Sequence, residues 1–536
     1  MSDHKNQATA EIENIANMID ALNITDQKGE SQRCKSLQEA LSSFNEAAAT
    51  LLERGANILR LLPADYVSNK NDVESIYLAQ ITTLELGRVG RLLNDSATQA
   101  IVRTVISLGD KTIFGVEDLL QHFKKPVEVI AQRLMREAHK EDILWKVAEE
   151  CYHEATRPSG ELNPDEYLVH SKWQEKENKK EYWIKFWVSS VCNCPGGPTL
   201  FQPPENFALN HFVKRPPEHM PRYLFRVWDD NSKGGNTEDV IASVLSQRDE
   251  ANRHTIDVFS RGHQEASEML HHHLDKGLSN TQQTNNLVSW SSSLIFVIQY
   301  ANWRFCNPWF DQPGEIHICA VDTSKFPHGQ FARDKWLLNW FSNAKLSDEE
   351  TNFRNLRLNR TEYDNGEYLS QGKLHIKGRS CTLSVQGLTN AGLWDLYPEF
   401  NVNDVENDAD VRVQWTKYVK LLRSLWHSVH TTTKANVQCA LNIARKCFQS
   451  FDQDDMALLL LSFCERKLHR ENPSFQNPFT DLLPPVAIED IDYKEPAEVD
   501  RYSTLRKRLS ELRKASGERG MKLFDQLYEL EDTEEN

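Results

Sequence analysis

The chain has 536 residues, with 62 Lys and Arg against 78 Asp and Glu and a formal net charge of −16. No basic block longer than a few residues occurs, so a general nucleic-acid binder is not expected, because phosphate neutralisation needs clustered cations. No uninterrupted apolar stretch reaches spanning length, so no membrane role is expected, and at roughly 150 residues per domain the length corresponds to about three or four units.

The first residues, MSDHKNQATAEIENI, are polar and lack the basic start and apolar core of a signal peptide. Ten cysteines are scattered without a disulfide framework. Both features predict an intracellular protein, cytoplasmic or nuclear, in a reducing compartment.

In chain order, the apolar spacing at Ile12, Ile15, Ile19 and Leu22 predicts a helix. A second helix is predicted at Leu37, Leu41, Phe44, Ala48, Leu51, Gly55, Ile58 and Leu62, alternating steps of four and three. Ser36 and Glu39 have capping-box spacing, and Pro63 ends the run. Such heptads serve either an antiparallel bundle within the chain or a coiled coil with a protein partner. A charged helix is predicted over Ser171 to Lys185, and the Cys192 to Pro198 stretch reads as a loop or boundary. Strand patterns then appear at Tyr223 to Trp228, Leu287 to Trp290, Glu315 to Asp322, Gly372 to Ile376 and Cys381 to Val385. Helical periodicity returns from Asp408 to His469, with Met456 to Cys464 apolar enough for a buried helix. A Pro- and acid-containing linker, Pro484 to Asp500, precedes an amphipathic helix from Arg501 to Leu530. The predicted organisation is a helical region at 1–190, an α+β domain at 215–402, a helical region at 408–483, the linker at 484–500, and a C-terminal helix with an acidic tail at 501–536.

Cys192 and Cys194 have no downstream partner pair, and His271, His272 and His273 sit about 100° apart on a helix, so no metal site is expected. Phosphate-loop, dinucleotide-fingerprint, zinc-protease and nucleophile-elbow motifs are absent. Three features of the α+β region invite chemistry. Arg226 lies inside the apolar run Tyr223 to Trp228, where a guanidinium needs an anion. Ser291, Ser292 and Ser293 end a strand and lead into a helix carrying Tyr300, and Glu367 comes late, before a further strand pair. Each also has a structural explanation: an ion pair from Arg226 to Asp229 or Asp322, a helix N-cap run for the serines, and a solvated turn residue for Glu367.

The order of Arg strand, Ser-rich strand with helix, hydrophobic strand and late Glu resembles the ADP-ribosyltransferase family, particularly its DNA-modifying and toxin-like branches. The segments LFRVWD, WSSSLIFVIQYA, DTSKFP and AGLWDLYPE resemble a fungal domain family of uncharacterised function over about Pro221 to Phe400. The first resemblance implies an α+β domain with a split sheet, flanked by all-α regions, that uses NAD as substrate for ADP-ribosyl transfer or NAD hydrolysis. It implies that Arg226 pairs with the pyrophosphate. It also implies that Ser291, with Ser292 and Ser293, orients the nicotinamide ribose, and that Glu367 is catalytic. The chain departs from that family at Asn365, where Glu or Gln is usual, and at Ser292, where Thr is usual. The alternative is a catalytically inactive member serving as an intracellular scaffold, with the N-terminal helices binding a protein partner.

Overall fold

A computed structural model of the chain describes residues 32, 35–58, 60–61, 70–110, 113–137, 142–158, 160–204, 220–248, 255–275, 285–306, 315–400, 415–468 and 494–516. The predicted helix at Ile12 to Leu22, most of the linker and the acidic tail lie outside these residues. Two compact units are present, Met1–Asp95 and Ser96–Asn536. In the first, residues 35–58 are helical, and Ser36 lies within the helix rather than capping it. Its heptad residues Leu37, Leu41, Phe44, Leu51 and Ile58 are 45–59 % exposed.

The larger unit begins with a helical block. The helices Lys124–Glu137, Ile143–Thr156 and Trp173–Asn193 bury Val127, Ile130, Trp145, Val147, Trp183 and Trp187. Trp173–Asn193 continues well past the predicted end at Lys185 because Trp183, Phe186, Trp187 and Val191 form an apolar stripe beyond the charged turns.

An α+β region follows, with strands β1 (Tyr223–Trp228), β2 (Gly235–Asn236), β3 (Val240–Ala242), β4 (Leu287–Ser291), β5 (His317–Asp322), β6 (Ala332–Arg333), β7 (Glu367–Gln371), β8 (Lys373–His375) and β9 (Ser380–Ser384). The main sheet has the order β6-β7-β4-β1-β5-β9 with antiparallel neighbours throughout, and β2, β3 and β8 form a smaller sheet. Period-2 alternation divides β1 cleanly. Tyr223, Phe225 and Val227 join the core built on helix Leu294–Cys306, while Leu224 packs with Ile241, Val288, Trp290 and Cys319 on the other side.

The pairing of β1 is lopsided. It shares six register pairs with β5 but only Phe225 with Ser291 on β4. Beyond that pair the Ser289 carbonyl accepts from the guanidinium of Arg226, and no further β1–β4 register pair forms among the described residues. The sheet opens at this point.

The core of helix Leu294–Cys306 runs on into the C-terminal helices through Val419, Leu422, Trp426, Ile443, Leu460 and Tyr502. The helical block is tied to the sheet region by the buried Arg379–Glu149 ion pair and by the Tyr152 hydroxyl, which accepts from the His328 amide at 2.9 Å. Among the described residues, no helix is long and apolar enough to cross a membrane.

Candidate functional site

Where β1 and β4 separate, a cleft of about 380 Å³ opens, lined by residues that include Arg226, His273, Ser289, Ser291, Tyr300 and Glu367. Arg226 reaches it from the middle of β1. Its Nε donates to Asn236 Oδ1 at 3.2 Å and its Nη1 to the Ser289 carbonyl at 3.1 Å. Both acceptors are neutral. Among the described residues no carboxylate lies within ion-pair distance of it. Both acids that could have paired with it are engaged elsewhere: Asp229 accepts from Arg304 at 2.6, 2.7 and 2.9 Å, and Asp322 from Arg222 at 2.7 Å. Burial lowers the pKa of Arg226 to about 10, with the charge of Arg304 acting in the same direction, so the group stays cationic at neutral pH. Lys233 and Arg304 also line the cleft. An anionic ligand would find its charge matched there.

Glu367 is the first residue of β7, entered through Gly366 at φ 63°, a left-handed conformation that glycine adopts without strain. Its side chain is 15 % exposed. Oε1 accepts from Ser289 Oγ at 3.0 Å and Oε2 from Arg357 Nη2 at 2.5 Å, while Arg357 also donates to Asp334 at 2.6 Å. Charge-assisted bonds of this kind fix a carboxylate in direction. The turn before it is anchored by Asp364. Burial alone would raise the pKa of that carboxyl, but Arg333 and Lys335, each 2.6 Å away, bring it down to about 2.

The three predicted serines have different surroundings. Ser291 stands opposite Glu367 in the ladder and lines the cleft, yet its hydroxyl donates to the Asn365 carbonyl at 2.6 Å and accepts from the Ser293 amide at 3.1 Å. Ser292 and Ser293 lie outside the cleft lining. Ser292 Oγ donates to Glu495 at 2.6 Å, and Ser293 Oγ donates to Glu498 while accepting from the Phe296 amide at 3.2 Å, the geometry of an N-cap. Glu495 lies just before helix Ala497–Ser516 and Glu498 in its first turn. Asn365 has its Oδ1 bonded to Arg423 Nη1 at 3.1 Å and is likewise not a cleft residue. Glu362, five residues before Glu367, pairs with Arg360 at a short 3-10 turn.

Sequence reasoning overlooked Ser289, His273 and Arg357. The sequence carries a signal for Ser289, because side chains two apart on a strand share a face and Ser291 is two residues on. His273 Nε2 lies 2.8 Å from Ser289 Oγ and its Nδ1 2.8 Å from Asn285 Nδ2. Its neighbour His271 instead packs inward, with Nδ1 2.8 Å from the Ser267 carbonyl. Among the described residues, no group of three or more His, Cys, Asp or Glu is placed to hold a metal ion.

Residues 219–377 match the model of a family described as a domain of unknown function, DUF7587. That span runs from just before β1 through β8 and contains Arg226, His273, Ser289, Ser291 and Glu367. No curated protein and no solved structure matches the chain.

Proposed function

We propose that the cleft binds NAD and cleaves its nicotinamide–ribose bond, passing ADP-ribose to an acceptor or to water. One observation carries this function above the rest. A desolvated arginine without a carboxylate partner among the described residues and a clamped glutamate line the same cleft, at the place where the sheet opens. The opening between β1 and β4 is what a split sheet of the ADP-ribosyltransferase kind requires. The order of Arg226, the Ser-rich strand and Glu367 along the chain supports the same assignment.

Each group has a role set by its chemistry. Arg226 offers the pyrophosphate a cation in a partly desolvated setting, where the attraction is stronger than in water. In this reading Glu367 meets the positive charge that develops at the ribose C1′ as the C1′–N bond breaks. The bonding pair leaves with the nicotinamide, neutralising its pyridinium charge. The acceptor oxygen or nitrogen then bonds to C1′ and releases a proton. A preoriented carboxylate lowers that barrier because it meets charge present only in the transition state. Ser289, rather than Ser291, is the hydroxyl that orients Glu367. Ser292 and Ser293 hold the C-terminal segment instead of the cofactor.

A scaffold role without catalysis is favoured by a different observation, the exposed heptad face of residues 35–58. Calorimetric titration of the full chain with NAD separates the two. Micromolar binding lost in Arg226→Ala supports the cleft, whereas no heat with either protein leaves the scaffold role.

A further inference from the structure

The cleft contains a hydrogen-bond chain whose direction is fixed at its first member. Asn285 Oδ1 accepts from the Leu287 amide at 2.9 Å, so the amide nitrogen Nδ2 is what faces His273 Nδ1 at 2.8 Å. An amide nitrogen only donates, and Nδ1 must therefore be the unprotonated, accepting atom of the ring. In a neutral imidazole the proton is then on Nε2. Nε2 lies 2.8 Å from Ser289 Oγ and donates to it, which turns the hydroxyl proton onward to Glu367 Oε1 at 3.0 Å. Every bond runs the same way, from Asn285 through His273 and Ser289 to the carboxylate. On the opposite side Arg357 Nη2 donates to Oε2 at 2.5 Å.

The chain joins three separate elements. His273 comes from helix His263–Leu274, Ser289 from β4 and Glu367 from β7. On that helix Ala266, Leu270 and Leu274 are buried in the apolar core against Leu287, Trp336 and Leu369, which fixes the helix on the sheet and aims His273 at the cleft. A serine hydroxyl alone rotates among three wells, so Ser289 left to itself would direct its proton at Glu367 only part of the time. The imidazole donor removes that freedom.

We propose that His273 is a positioning residue: as the Nε2-protonated neutral ring it fixes the Ser289 hydroxyl and, through it, the orientation of Glu367. The kinetic consequence rests on the NAD-cleaving function proposed above; the tautomer and its coupling to Ser289 do not.

The test uses the full chain. With ¹⁵N-histidine labelling and assignment by difference against His273→Gln, long-range proton–nitrogen correlation at neutral pH is expected to show Nε2 protonated and Nδ1 bare. Ser289→Ala is expected to shift the Nε2 resonance. A ring protonated on Nδ1, or one indifferent to Ser289→Ala, overturns the proposal. In nicotinamide release, His273→Ala is expected to lower kcat about 10- to 100-fold while KM stays within about twofold. His273→Gln, which retains an amide donor, is expected to recover most of the loss with an unchanged melting temperature. Ser289→Ala combined with His273→Ala is expected to be no slower than Ser289→Ala alone, since both cut one chain. If Glu367→Gln abolishes release and His273→Ala does not slow it, His273 has no positioning role and the NAD assignment stands. If the wild-type chain releases no nicotinamide while the ring has the expected tautomer and coupling, the positioning chain stands and the NAD assignment fails.

Discussion

Ser289 Oγ donates to Glu367 Oε1 at 3.0 Å, although Ser291, not Ser289, is the residue paired with Glu367 in the ladder. The diagonal contact arises because Ser291 has turned its hydroxyl to the Asn365 carbonyl at 2.6 Å. Two serines on one face of β4 thus divide the work: one faces the carboxylate and the other braces the turn that delivers it.

That division predicts opposite phenotypes for two conservative changes. Ser289→Ala is expected to slow NAD cleavage about tenfold or more with little loss of stability. Ser291→Ala is expected to destabilise the fold by about 1–2 kcal/mol, because the part-buried Asn365 carbonyl and the buried Ser293 amide both lose their partner. Urea denaturation and nicotinamide release, measured on both variants, check the assignment. Equal effects of the two changes on release would contradict it.

Gly366 is the tightest point of the turn. A Cβ there would lie 1.8 Å from Ser292 Oγ and 3.1 Å from Glu495 Oε2, at a φ of 63° that side chains disfavour. Gly366→Ala is therefore expected to cost at least about 2 kcal/mol and to loosen the C-terminal segment that Ser292 and Tyr368 hold through Glu495. Thermal melting measures the first effect, and hydrogen exchange over residues 494–502 the second.

Asp364 carries a pH signature. Its pKa falls from an ordinary 3.8 to about 2 in the folded chain: burial opposes the shift, and Arg333 and Lys335 outweigh it. A depressed carboxyl pKa stabilises the fold at pH values above about 4 and loses that contribution as pH falls toward 2. Asp364→Asn is expected to lower stability by about 2 kcal/mol at pH 7, since it removes the carboxylate that both Arg333 and Lys335 contact. The gap to wild type is expected to shrink between pH 4 and pH 2. A gap independent of pH in equilibrium unfolding would rule out the Asp364 carboxylate as its source.

Some of this architecture was legible in the chain. The run Tyr223 to Trp228 is a strand from end to end, because alternating apolar residues leave little else possible. The strand beginning at Glu367 was not foreseen as such. Its Ser370 and Gln371 are polar, yet both are buried with partners: Ser370 Oγ accepts from Trp290 Nε1 at 2.9 Å, and Gln371 bonds the Val258 amide at 2.7 Å and Asp257 at 2.8 Å. Satisfied burial of polar groups leaves no trace in hydropathy. The environment of Arg226 was hidden for a similar reason. Asp229 is three residues away along the chain, but Arg304, 75 residues from it, takes the carboxylate. Only the fold decides between a near partner and a distant one. His273 was passed over because three adjacent histidines cannot share a ligand, which says nothing of what one of them does alone.

The central claim is that Arg226 and Glu367 serve one substrate from the two sides of the β1–β4 opening, and nicotinamide release by the full chain tests it most directly. Wild type is expected to convert NAD to free nicotinamide. Arg226→Ala is expected to raise KM about 10-fold or more, through loss of a charge-assisted contact to the pyrophosphate. Glu367→Gln is expected to keep NAD binding and lose about 100-fold or more in kcat. Release by wild type that neither substitution alters would contradict the claim.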